Sequence, residues 1–249
     1  GQIESLHAPR PQPQLRRANR IRTIQGSLAI EGNTLSLEQV TAVIEGKPVL
    51  GKPSEIQEVK NAVAAYEAIG TFHPRRLKDL LKAHRVLMGG LIPSAGRWRS
   101  GNVGVLKGSK VSHIAPKPDL VPGHMDNLFT FLKSSDDHPL IQGCVFHYEL
   151  EFIHPFEDGN GRIGRFWHSR LLMDYHPVFE FIPVESLIKA YQADYYRVLA
   201  TCDRAGDSTR FVEFAVQIIH QALSAFIEQL RPEPVTVETR LTKARSRFG

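Results

Sequence analysis

The chain has 249 residues, enough to bury one sizeable core with a short appendage. A hydrophobic content of 42% and a charged content of 23% exclude a disordered or fibrous protein. The net charge of +5 is mild and part of the excess sits toward the two ends, so nucleic-acid binding through these residues is not expected.

Residues 1 to about 15 carry Pro9, Pro11 and Pro13 among polar neighbours and read as an extended leader. Gly1 stands in place of a start methionine, so sequence upstream is expected. Residues 16–230 read as one domain, a run of helices with punctuation. Arg16 to Ile30 is amphipathic and stops at Gly32-Asn33. Ser36 with Gln39 and Ser54 with Gln57 both read as capping boxes opening helices. Pro74 suits a first helical position, followed by the apolar spacing Leu77, Leu80, Leu81, His84 and Leu87 up to Gly89-Gly90. Gly96 to Ile114 breaks the pattern: its valines alternate around Lys107-Gly108-Ser109, which predicts a β-hairpin leaning on the helices. Further helices are expected over about 119–134, 139–152, 161–175, 185–205 and 208–230. The tail 231–249 is basic and Pro-bearing, and reads as a linker toward a further C-terminal domain. The fold class is therefore all-α, a helical bundle with a small β-hairpin.

Cys144 and Cys202 lack the spacing of a metal site or a disulfide framework, which suits a reducing compartment. No apolar run reaches membrane-spanning length and no signal peptide is visible. A cytoplasmic protein with no membrane partner is expected.

The chemistry concentrates in residues 154–165, His-Pro-Phe-Glu-Asp-Gly-Asn-Gly-Arg-Ile-Gly-Arg. Asp158-Gly159-Asn160-Gly161 is a turn between two apolar helical segments. Glycines flanking Asn160 let successive backbone N–H groups point inward at the start of a helix, where the dipole also favours an anion. Arg162 and Arg165 are three apart, on one helical face, and both can reach one polyphosphate. Asp158 offers a hard carboxylate of the kind that holds Mg²⁺ between phosphates. His154 can take a proton near neutral pH. Anion donors, metal ligand and base within twelve residues match the needs of phosphoryl or nucleotidyl transfer.

This segment resembles the Fic family signature H-P-F-x-D-G-N-G-R-x-x-R at every fixed position. The likeness extends over about residues 20 to 230, through His147-Tyr148, Gly96-Arg97 and Tyr195-Tyr196 with Leu199. The resemblance implies a Fic-type bundle whose hairpin is a flap, and an enzyme that transfers AMP from ATP, with Mg²⁺, to a Ser, Thr or Tyr hydroxyl of a protein target. It implies His154 as the base that deprotonates the hydroxyl and Asp158 as the Mg²⁺ ligand. Asn160 and the Gly159 and Gly161 amides are implied to hold the α- and β-phosphates, with Arg162 on the β- and Arg165 on the γ-phosphate. Tyr196 and Asp203 fall where the family places adenosine contacts. Phe156 is read as a packing anchor, Glu157 as solvent-facing and His147 as a core histidine. The flap at Val103, Gly104 and Val105 is implied to accept a target segment as an added strand.

Ser27-Leu-Ala-Ile-Glu31-Gly32 resembles the family's inhibitory motif, S/T-x-x-x-E-G/N, on a helix of about residues 20–33 ahead of the core. A self-inhibited adenylyltransferase follows. The alternatives are removal of AMP by hydrolysis, with Glu31 orienting water, and a DNA-binding or antitoxin-like module motivated by the basic tail. The resemblance leaves room for a homodimer.

Overall fold

The computed structural model describes residues 13–107 and 110–230, those at 105–107 and 110–114 by their main chain alone. Most of the expected leader, the tail 231–249 and the turn residues Gly108 and Ser109 lie outside the described residues. The described residues form ten α-helices and one β-hairpin. The helices are α1 (Pro13–Ile30), α2 (Leu37–Ile44), α3 (Pro53–Glu67), α4 (Leu77–Met88), α5 (Val121–Ser134), α6 (Pro139–Ile153), α7 (Asn160–Tyr175), α8 (Val184–Ala190), α9 (Gln192–Ala205) and α10 (Thr209–Leu230). None is long and apolar enough to cross a membrane.

Local rules account for several helix ends and fail at others. Ser36 caps α2 as a full capping box, its side chain accepting from the Gln39 amide while the Gln39 side chain accepts from the Ser36 amide. The second expected box is absent. Pro53, pre-set for a first helical position, starts α3 with Lys52 as its N-cap and leaves Ser54 inside the first turn. Pro74, expected at a first helical position, instead lies ahead of α4, whose N-cap is Arg76, and its carbonyl accepts the Trp167 indole N–H at 3.1 Å. Helix α1 starts at Pro13, within the stretch read as extended leader, and ends at Ile30, so Glu31 is the first residue beyond the helix. Its amide donates to Leu28 O at 3.0 Å and that of Asn33 reaches the same carbonyl at 3.1 Å, closing a tight turn.

The helix expected over 185–205 is broken at Tyr191 into α8 and α9. Tertiary contacts explain the break. Lys189 Nζ donates to Ala29 O at 2.9 Å, a carbonyl that also takes the Gly32 amide, and Gln192 Nε2 donates to Ile30 O at 2.8 Å, so both side chains hold the last carbonyls of α1.

Two apolar clusters form the core. One gathers Ile24 and Leu28 of α1 with Leu80, Phe129, Phe146, Phe156 and Trp167; the other gathers Ile30 with Tyr148, Tyr195, Phe211 and Ile218. Helix α1 thus contributes to both. Gly26 lets it lie against α8: a β-carbon there would sit 3.0 Å from main-chain atoms of Glu185 and Ser186.

The hairpin pairs β1 (Gly104–Lys107) antiparallel with β2 (Lys110–Ile114), with a register shift between Val105 and Leu106. The strands are shorter than the stretch 96–114 suggests. Val103 lies just ahead of β1, whereas Gly104 and Val105 belong to it. β2 runs beside α9.

Candidate active site

Helix α6 ends where the motif begins. His154 is its C-cap, with φ 49° and ψ 59°, the one non-glycine residue in the left-handed region among those described. Such a backbone costs on the order of 1–3 kcal/mol and persists only where the surroundings over-determine it. Here the His154 amide donates to Leu150 O at 2.9 Å and ring Nδ1 lies 3.3 Å from Glu151 O. With Nδ1 carrying the hydrogen toward that carbonyl, Nε2 is the ring nitrogen with the lone pair.

The next residues form a rigid turn. Phe156 is buried, stacked on His84 at 3.6 Å between ring centres and tilted against Trp98 at 5.0 Å, as a packing anchor should be. Glu157 is exposed and accepts from the Ser94 hydroxyl. The Asn160 side chain braces the loop: Oδ1 accepts from the Phe156 amide and Nδ2 donates to the Phe156 carbonyl, both at 2.9 Å. That places the Asn160 side chain on the motif's own backbone. Gly159, at φ 85°, is the N-cap of α7, a conformation that a side chain would strain.

The Asp158 carboxylate sits beside this N-terminus, its Oδ1 accepting from the Gly159 amide at 2.6 Å and pairing with Arg162 at 2.9 Å. Its side chain is 55% exposed. Arg162 is buried and also pairs with Glu58 of α3 at 2.8 Å. Glu58 in turn accepts from Asn33 at 2.8 Å, two residues beyond Glu31.

Arg165 is buried to 1% exposure and meets Glu31 at 2.6 Å. Its Nε donates to Ser27 Oγ at 3.2 Å and its NH2 to Ser27 O at 3.1 Å. Although burial works against its charge, the nearby Glu31 carboxylate holds its pKa above the ordinary arginine value. A β-carbon on Gly161 would overlap the Glu31 carboxylate, so that group lies directly against the first turn of α7. The two arginines thus share one helical face yet engage different carboxylates from outside the motif.

Beneath Arg165 lies Glu151. Burial raises its carboxyl pKa to about 7, with Arg165 and His154 pulling the other way, and its Oε1 has no hydrogen-bond partner. His147 is a core histidine as expected, its Nε2 3.1 Å from the Tyr195 hydroxyl and its pKa pushed down to about 3 by burial, helped by Arg165. Tyr196 Oη donates to Ile30 O at 3.3 Å, against the end of α1, and Asp203 accepts from Tyr148 at 3.2 Å.

Residues 74–172 match the Fic/DOC family. A Fic family protein from Desulfovibrio desulfuricans G20 is 49% identical, with a TM-score of 0.86 over 95% of this chain and 71% of that one. The chain belongs to the Fic family. The protein adenylyltransferase Fic of Aedes aegypti is 31% identical over 220 residues, 83% of this chain and 42% of that protein. The chain therefore spans less than half the length of that relative. Fic-1 from C. elegans, at 24% identity and a TM-score of 0.72, shares the fold.

Against the Fic signature, three residues at the site escaped the motif. His84 takes the Gly96 amide on Nδ1 at 2.9 Å and lies 2.9 Å from Asp158 O through Nε2. Burial pushes its pKa down to about 4, so the neutral ring donates from Nε2 to that carbonyl. Its only signal was a histidine on an apolar helical stripe. Glu58 gives none because its partner Arg162 lies 104 residues away, and Arg99 gives none because all its acceptors are main-chain carbonyls.

Proposed function

We propose that this chain is a protein adenylyltransferase held in check by its own Glu31. The observation that carries the reading is the buried Arg165, bound to a carboxylate that lies against the first turn of α7, where a nucleotide's phosphates would bind. A planar guanidinium accepts a carboxylate and a phosphate in the same bidentate way, so Glu31 and the γ-phosphate compete for it. The likeness to protein adenylyltransferases of Aedes aegypti and Nematostella vectensis supports the transfer of AMP.

In the proposed reaction His154 Nε2 takes the proton of a Ser, Thr or Tyr hydroxyl on the target. The hydroxyl oxygen bonds to the α-phosphorus, the bond from that phosphorus to the bridging oxygen breaks, and pyrophosphate leaves. Arg162 and Arg165 would carry the β- and γ-phosphates, the amides at the start of α7 would face the developing charge, and Tyr196 and Asp203 would border the adenosine. The hairpin at Val103, Gly104 and Val105 would hold the target segment as an added strand.

Among the described residues no group of three or more His, Cys, Asp or Glu is arranged to hold a metal. One half-exposed hard carboxylate, Asp158, next to two phosphate-binding arginines fits Mg²⁺, which takes one or two carboxylates together with substrate phosphates and water. Bound there, Mg²⁺ would neutralise phosphate charge.

ATP labelled on the α- or the γ-phosphate tests the reading, using the wild type and Glu31→Gly with and without His154→Ala. The α-label should become protein-bound in Glu31→Gly and vanish with His154→Ala, which should still bind ATP. Incorporation of the γ-label, or of neither, overturns it. Loss of AMP from a modified target that required Glu31 would favour the hydrolytic alternative instead.

A further inference from the structure

Arg99 is 5% exposed, and burial alone lowers its pKa, with none of the described carboxylates acting on it. Its guanidinium is occupied by main-chain carbonyls. Nε donates to His154 O at 2.8 Å, NH1 to Gly101 O at 2.9 Å, and NH2 to Pro116 O and, at 3.4 Å, to Ile153 O. Its own amide donates to Pro155 O at 3.0 Å.

These acceptors belong to three places. Ile153 and His154 are the last residue and the C-cap of α6, whose terminal carbonyls have no partner within the helix and carry the negative end of its dipole. Gly101 lies three residues before β1, and Pro116 two residues after β2. One planar fork of five N–H donors therefore ties both legs of the hairpin to the turn that carries the base. The preceding residues follow the same path, with Trp98 against Phe156 and the Gly96 amide on His84.

We propose that Arg99 is a positioning residue that sets the separation between the target-binding hairpin and His154. The inference rests on the adenylyltransferase reading. There the hairpin places the hydroxyl and α6 places the base, and Arg99 bonds to both legs and to that turn. Lysine keeps the charge but replaces the fork with a single point donor, so it cannot span the three places. A misplacement of about 1 Å between reacting groups can cost on the order of a hundredfold in rate.

The test compares Arg99→Lys with its parent, both in the Glu31→Gly background, by calorimetric titration with Mg·ATP, α-label transfer, thermal melting and amide hydrogen exchange. The expected result is a nearly unchanged ATP dissociation constant, a kcat lowered by about tenfold to a hundredfold, and faster exchange at 101–104 and 153–154 together. Unchanged kcat overturns the proposal, as does a loss of ATP affinity in step with kcat, which would mark a merely structural role. If the Glu31→Gly parent itself transfers no AMP, the activity reading has failed and exchange alone decides the Arg99 link. Coupled quickening then supports the link, and quickening on one side only overturns it.

Discussion

Glu31 and Arg165 meet at 2.6 Å across 134 residues of sequence, the carboxylate standing just past the end of α1 and the guanidinium in the first turns of α7. Replacing Glu31 with glycine should free the guanidinium for phosphate. Turnover should rise by about tenfold to a hundredfold, with a smaller change in ATP affinity, because alignment of the reacting groups is what the carboxylate disturbs. Initial rates against ATP concentration check this. A variant that binds ATP more tightly at unchanged kcat contradicts it.

Asp158 and Arg162 should act on the nucleotide itself. Arg162→Ala removes a charge-assisted contact to phosphate, typically about 1.5–3 kcal/mol, so the ATP dissociation constant should rise roughly tenfold or more. Asp158→Ala should make that constant insensitive to Mg²⁺. Titrations with and without the cation read both, and an equal Mg²⁺ response in wild type and Asp158→Ala rules out the carboxylate's assignment.

Gly26 offers a way to loosen the restraint at a distance. A β-carbon at 3.0 Å from α8 main chain cannot be relieved by turning a side chain, so Gly26→Ala should push α1 outward at a cost of about 1–3 kcal/mol. The melting temperature should fall while basal transfer rises, though less than in Glu31→Gly. Lower stability at unchanged transfer would show that the seat of α1 on α8 does not hold Glu31 in place.

Glu151 and His147 should give stability two opposite pH slopes. The Glu151 pKa is raised from 4.5 to about 7, so the folded state binds the extra proton between those values and stability falls as pH rises through them. His147, depressed from 6.5 to about 3, does the reverse and loses stability as pH falls below 6.5. Glu151→Gln removes the first slope alone. Melting temperatures from pH 5 to pH 8 should show the variant gaining on the wild type as pH rises, and a constant difference sinks the claim.

Much of this was readable in the chain, for reasons that differ by residue. The Ser36–Gln39 cap was legible because every atom of it lies within one turn. Ser54 misled because Pro53 beside it is the stronger start signal. The break at Tyr191 carries no glycine or proline; it follows from Lys189 and Gln192 reaching the end of α1, a contact that local patterning does not encode. Glu31 and Arg165 are each legible through a motif, but their meeting across 134 residues is not. Arg99 bonds to carbonyls, which every residue has, so no spacing of side chains could announce it.

Helix α1 contributes to both apolar clusters and its end is held by Lys189, Gln192 and Tyr196. If Glu31 inhibits as proposed, it cannot be removed by dilution, because its effective concentration is set by the fold and not by the solution. In the proposed scheme, release would work either on the short turn after Ile30 or on the seat of α1 against α8. An activator would then need to outcompete one carboxylate at Arg165 without unfolding a helix.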